Sequence, residues 1–163
     1  MKNKLIKALW AFTMMAIVIA GCSDDDTEVM QAPQSAIDKA LLLISGTVTE
    51  TETEIEDGIA AWKVDITTAQ GSEVEVYCRQ DNGALLRIDG ESAPFDYNIT
   101  PGMGLIDFSQ AKAIADGEVA ESLVFWRLRT EDSFNDIWVY TMEYTQSKVS
   151  LNATDGSVLD IEN

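Results

Sequence analysis

Alternating apolar and polar positions near the C-terminus predict a β-hairpin. Every second residue of Val149–Ala153 is apolar, which is the period of a strand with one buried face. Asp155 and Gly156 follow. An Asp-Gly pair between two alternating runs is typical of a tight turn, because glycine adopts a positive φ without a Cβ clash. Leu159 and Ile161 then resume the apolar face.

The same pattern occurs once before, at Val76–Ile88, with Asn82-Gly83 in the place of the turn. Gly83 precedes Gly156 by 73 residues, and the same interval separates Ile88 from Ile161. A pattern repeated at one fixed spacing predicts that the chain contains one structural unit twice.

Each predicted unit begins with a helix. In the first, Ser35 and Asp38 resemble a capping box, and Gly46 is a suitable stop. Apolar residues fall at the helical spacing i, i+3, i+4 and i+7, namely at Ile37, Ala40, Leu41 and Ile44. In the second, Asp107 is the predicted N-cap and Gly117 the predicted stop. A segment containing proline and glycine, residues 92–104, separates the units.

Strict alternation over Thr47–Glu56 predicts a strand with one acidic face. The face carries Glu50, Glu52, Glu54 and Glu56. Two interpretations are open. Charges on an edge strand discourage edge-to-edge pairing, and the face would then only be solvated. Alternatively, the four carboxylates form a docking face for a cationic partner.

Further alternating runs complete both predicted sheets. They lie at residues 62–67, 74–78 and 85–88 in the first unit and at 123–129, 138–144 and 149–161 in the second. The predicted fold class is therefore α+β, with each unit a short helix packed on an antiparallel sheet of about four strands.

The N-terminus has the pattern of a lipoprotein leader. Three lysines precede the apolar run Ala8–Ala20, which is too short to span a bilayer. The residues that end at Cys22 resemble a bacterial lipobox. This resemblance implies a signal peptide at residues 1–21, acylation (palmitate) of Cys22, and a tether at 22–34 that carries the domain. Ser23 after the cysteine favours the outer membrane, facing the periplasm, over the inner membrane.

The net negative charge of the chain limits the classes of molecule that it can bind. The chain carries −17 at pH 7, and removal of the leader with its three lysines makes it −20. Such a surface repels nucleic-acid phosphate, so no nucleic acid is expected as a partner. Cationic peptides, basic protein surfaces or divalent metal are compatible with it.

Catalytic signals are scarce. The chain has no histidine, which removes the commonest metal ligand and general base, and no phosphate-binding or nucleophile motif is present. We therefore predict neither an enzyme nor a cofactor, nor a specific metal site. Cys78 is interpreted as a small buried residue rather than a reactive thiol, because no neighbouring histidine would lower its pKa. Four aromatic residues are assigned to packing: Trp126, Trp138, Tyr140 and Tyr144.

Helix, strands and the closing hairpin together resemble the PepSY domain family. The likeness rests on Gly71 and residues 74–77 and 82–86 in the first unit, where Arg79-Gln80 departs from the usual pattern, and on residues 110–115, 138–140 and 149–161 in the second. It implies tandem PepSY-like units at 35–91 and 105–163, a fold similar to the half-units of β-lactamase-inhibitory protein, and a role in restraining peptidases or assisting their folding.

The sequence thus predicts a lipid-anchored, extracytoplasmic protein-binding module that inhibits or escorts an envelope peptidase. The alternative is an envelope lipoprotein that binds a small cationic ligand or a divalent metal.

Overall fold

A computed structural model describes residues 32–163, with side chains from residue 34. The predicted signal peptide, Cys22 and nearly all of the predicted tether lie outside the described residues. Neither helix within this range is long and apolar enough to cross a bilayer. The helices are α1 (Ala32–Leu43) and α2 (Phe108–Glu118), with a 3₁₀ turn at Asp132–Phe134. The strands are β1 (Thr47–Glu56), β2 (Ile59–Thr67), β3 (Glu73–Arg79), β4 (Leu85–Gly90), β5 (Leu123–Glu131), β6 (Ile137–Tyr144), β7 (Lys148–Asn152) and β8 (Val158–Glu162).

All eight strands form one antiparallel sheet in the order of the chain, from β1 to β8. The α+β class is confirmed. Two tandem units, each with its own four-stranded sheet, are not what the structure contains, because β4 pairs directly with β5 from Arg87–Arg129 to Gly90–Trp126. Separate sheets would leave two more open edges, and pairing β4 with β5 satisfies those backbone groups.

Gly90 makes the junction between β4 and β5 possible. A Cβ at this position would overlap the indole ring of Trp126, which is fully buried directly opposite. The missing side chain therefore gives the largest residue of the core its space.

One face of the sheet carries the core. A row of cross-strand partners runs across β2 to β7, and its members are fully buried: Val64, Val76, Ile88, Leu128, Tyr140 and Leu151. Both helices pack on this face through small residues, which are Ala36 and Ala40 in α1 and Ala111 and Ala115 in α2. Small side chains let a helix approach the sheet closely. The opposite face has no helix and is mostly polar; we call it the open face.

The predicted core face of α1 agrees with the observed one at Ile37, Ala40 and Ile44 but not at Leu41. The helix begins at Ala32, so Ser35 lies within it and not at the N-cap. Its fully covered residues are Ala36 and Ala40, and Ile44 directly after the helix is also buried, whereas Leu41 is 40% exposed. Leu41 was assigned to the core because of its helical spacing, but the helix packs on the sheet through the smaller side chains of Ala36 and Ala40.

The second helix follows its prediction at the N-terminus and departs from it at the C-terminus. Asp107 precedes α2, and its backbone N–H donates to Gln110 Oε1 over 3.1 Å, as in a capping box. Gly117 does not stop the helix, which continues to Glu118.

An aromatic stack connects the segment before α2 with the sheet. Ring centroids are 5.3 Å apart for Tyr97 and Phe108, 4.3 Å for Phe108 and Trp126, and 6.0 Å for Trp126 and Tyr140. Trp126 Nε1 donates to the Tyr97 hydroxyl over 2.9 Å. The segment between β4 and α2 thus contributes to the core.

Candidate partner-binding site

The four glutamates of β1 are placed at one edge of the sheet, where β1 has β2 as its neighbour. Glu50 is exposed, Glu52 and Glu54 are half-buried, and Glu56 is only 9% exposed. Their role in docking stays a prediction. The structure nevertheless separates the first three, which lie on the open face of the edge strand, from Glu56, which is bonded to Arg87.

Lys63 on β2 neutralises part of the acidic edge. Its Nζ lies 2.7 Å from Glu52, 3.3 Å from Glu75 and 3.4 Å from Asp65, and its side chain is 12% exposed. Burial acts to lower the pKa of Lys63, but the hydrogen bond to Glu52 and the charges of Glu75 and Asp65 raise it well above its usual value. This lysine therefore remains charged at any physiological pH.

The β1–β2 hairpin bends over the open face. Both carboxylate oxygens of Glu56 accept from Arg87 Nη1 on β4 at 2.6 Å. In a flat sheet, β1 and β4 would be about 14 Å apart, which is three inter-strand spacings. The contact shows that the sheet curls strongly and that the hairpin tip partly covers β3 and β4.

Beneath the hairpin tip, Arg87 and Asp89 are the centre of an ion-pair network. The Arg87 guanidinium lies 3.8 Å from the ring centroid of Tyr77, a cation–π contact. Asp89 is 1% exposed and accepts two hydrogen bonds of 2.8 Å from Arg127 on β5. Every charge at this position has an opposite partner, as burial requires.

A groove of about 550 Å³ lies where the β1–β2 turn meets the β5–β6 turn. Arg129 Nη1 is 3.7 Å from Asp57 on the first turn, and its Nε is 2.8 Å from Glu131 on its own strand. The groove is polar and shallow, with three carboxylates and one guanidinium around it.

Glu75, Asp89 and Glu91 form an acidic cluster on the open face, with carboxylate oxygens within 4.8 Å of one another. Although Glu91 is exposed, partial desolvation together with the charges of Glu75 and Asp89 raises its pKa. Oxygen ligands of this type suit a divalent cation. However, both Asp89 oxygens already accept from Arg127, so a metal would compete with an arginine for them.

The structure confirms that Cys78 is buried, at 1% exposure, and desolvation raises the pKa of its thiol to about 11. The thiolate that reactive cysteines need is thus disfavoured. Trp126, Tyr140 and Tyr144 are core residues as predicted, while Trp138 is half-buried.

The basic residues of the open face were not identified from the sequence. Lys63, Arg87 and Arg127 organise the network, although only the acids had been singled out. A signal was present, since Lys63 alternates out of phase with the apolar residues Trp62 and Val64 and must therefore lie opposite the core. The partner of each base could not be read from the sequence, because it depends on strand register and on the curl of the sheet.

Comparison with known proteins supports the family resemblance in the first half of the chain. Residues 31–89 match the PepSY family, described as "Peptidase propeptide and YPEB domain". The resemblance of residues 105–163 stays a prediction. No curated protein matches the chain. A crystal structure from Clostridium difficile, described as a "putative lipoprotein", is 17% identical, with 85% of this chain and 95% of that chain covered and a TM-score of 0.37.

Proposed function

Starting from residues 31–89 as a PepSY domain, we propose that this protein is a lipid-anchored extracytoplasmic module that binds an envelope peptidase and inhibits or escorts it. The family description includes peptidase propeptides, which supports a peptidase as the partner. The leader pattern that ends at Cys22 supports a location in the cell envelope.

The observation that carries the proposal is the acidic edge of the sheet. Glu50, Glu52 and Glu54 lie on the open face of a long edge strand, and only Glu52 among them is in an ion pair within the described residues. A fixed row of like charges speeds encounter with a basic surface, and buried contacts then supply most of the affinity. The partner should therefore present a basic patch.

The second candidate is binding of a small cationic ligand or a divalent metal. The cluster of Glu75, Asp89 and Glu91 favours it, since three carboxylates converge there. Calcium titration followed by calorimetry distinguishes the two. Heat of binding that disappears in Glu91→Gln, without any complex with a peptidase, would replace the first candidate by the second.

The test uses the full-length protein in detergent and a purified peptidase from the same cell envelope. We expect a complex of defined stoichiometry, together with slower peptide hydrolysis or a higher yield of active peptidase after refolding. Absence of a complex with envelope peptidases, or catalytic turnover by the protein itself, contradicts the proposal.

A further inference from the structure

We propose that β1 binds its partner by strand addition, and that the partner contributes an extended segment in which basic and aliphatic residues alternate. This inference rests on the proposed function, because it specifies how the acidic edge engages the partner. It concerns the backbone of β1 as well as its charges.

The register of the β1–β2 hairpin shows which backbone groups are free. The two-residue loop Asp57-Gly58, with φ of 49° and 81°, joins the pair Glu56–Ile59. Residues that flank such a loop form a hydrogen-bonded pair, and bonded and non-bonded pairs alternate along an antiparallel ladder. The glutamates at even positions therefore point their backbone groups at β2.

It follows that Thr51, Thr53 and Ile55 direct their backbone N–H and C=O groups away from β2. Within residues 32–163, no backbone hydrogen bond is seen on that side of these three residues. The irregularity in pairing lies between Val48 and Glu50, so it does not disturb this alternation. An open row of donors and acceptors of this kind is the template used in β-augmentation.

The same register places the side chains of an added strand. Residues opposite Glu50, Glu52 and Glu54 would be in non-hydrogen-bonded pairs, where side chains of antiparallel strands approach most closely. Lysine or arginine fits these positions. On the other face, Ile55 is 71% exposed, so an aliphatic residue beside it would cover apolar surface that is now in water.

Charge argues against the two other candidate occupants. A second copy of β1 would set glutamates beside glutamates at neutral pH, which is unfavourable for cross-strand neighbours. The chain's own tether carries Asp24, Asp25, Asp26 and Glu28, so it has the same sign as the edge. A basic strand from another protein is the occupant that the charges favour.

The experiment uses a short synthetic peptide with alternating lysine and valine, and a control peptide of the same composition with all lysines first. The full-length protein in detergent is followed by residue-resolved amide hydrogen exchange. We expect the alternating peptide to bind more tightly than the control and to protect the amides of Thr51, Thr53 and Ile55.

Thr53→Pro removes one outward N–H but no bond to β2, so the fold should tolerate it. We expect peptide binding to weaken about tenfold, which is the value of one lost hydrogen bond in a ladder. Thr53→Ala keeps the backbone N–H and should therefore weaken peptide binding clearly less than Thr53→Pro does. If Thr53→Pro does not fold, the protection pattern in the unaltered protein still decides.

Equal binding of both peptides without protection of these amides overturns strand addition and leaves electrostatic attraction to a basic partner intact. If these amides become protected without peptide as the protein concentration rises, β1 pairs with a second copy of the chain, and strand addition of a basic partner is also overturned. Conversely, if the peptide docks on β1 but no peptidase complex forms, strand addition holds and the proposed function fails.

Discussion

Glu50 and Glu56 are the same residue type on one strand, yet their environments differ. Glu50 faces solvent at the sheet edge, whereas both oxygens of Glu56 are bound to Arg87. The sequence pattern did not distinguish the four glutamates. Alternation predicts which face of the strand they share, but not the curl of the sheet that brings Arg87 to the hairpin tip. A test of docking should therefore change Glu50, Glu52 and Glu54 and keep Glu56.

Glu56→Gln should lower the free energy of unfolding by about 1–3 kcal/mol, since it weakens a charged hydrogen bond to a mostly buried arginine. Glu54→Gln is the matched control on the same strand, because Glu54 has no ion pair within the described residues. Urea unfolding measures both. Equal losses in the two variants would contradict the assignment of Glu56 to the fold.

Glu91→Gln should stabilise the protein at neutral pH. Partial desolvation and the charges of Glu75 and Asp89 raise the pKa of Glu91 in the folded state, so the folded protein holds this proton more tightly than the unfolded chain does. The carboxylate therefore costs stability as pH rises above its unfolded value of about 4.3. The gain measured by urea unfolding at pH 7 should disappear below about pH 4.

Asp155 is a control for the sign of this effect on stability, because its pKa is lowered in the folded state instead of raised. Backbone and side-chain hydrogen bonds from Ser157 lower the pKa of Asp155, so Asp155 contributes stability that is lost as pH falls through its folded pKa. Asp155→Asn should thus destabilise at pH 7. Shifts of the same sign for Asp155→Asn and Glu91→Gln would refute the electrostatic account of the open face.

At the scale of elements, the tight turns show how backbone geometry and packing combine. Gly156 has φ of 76°, and an added Cβ would lie 2.6 Å from Ile114 Cδ1 on α2. Gly156→Ala should cost about 1–2 kcal/mol for the left-handed conformation, and more because of that contact. Gly71 has φ of 88° and nothing within 4 Å of the position of an added Cβ. Gly71→Ala therefore measures the cost of the left-handed conformation alone.

Thermal and urea unfolding of both alanine variants give the comparison. The loss for Gly156→Ala should exceed the loss for Gly71→Ala. If the two losses are equal, α2 does not rest on the β7–β8 turn in the way described.

Local signals predicted the strands, the Asp107 cap and the burial of Cys78, since each depends on neighbours in sequence. The joining of both halves into one sheet could not be predicted in that way. It depends on β4 meeting β5 across a gap of more than 30 residues and on Gly90 leaving space for Trp126. The core face of α1 was predicted in part: Ala40 and Ile44 are buried as expected, whereas Ala36 rather than Leu41 fills the space between helix and sheet.

At the scale of the whole molecule, the proposed lipid anchor and the proposed binding edge would act together. Cys22 stands only ten residues before α1, so acylation would hold the sheet close to a membrane. Cys22→Ser should block lipid attachment and lipoprotein-type cleavage, and the variant should leave the detergent phase or persist as precursor. Palmitate labelling and phase partitioning measure this, and a variant that labels and partitions like the unaltered protein contradicts the lipid anchor.

In the proposed mechanism, the acidic edge of β1 guides a basic partner onto the sheet. The most direct measurement is the association rate of the full-length protein with its peptidase at low and high ionic strength, compared with a variant carrying Glu50→Gln, Glu52→Gln and Glu54→Gln. We expect slower association of the variant and a flatter dependence of its association rate on salt, with the fold unchanged. An unaltered rate and an unaltered salt dependence would contradict it.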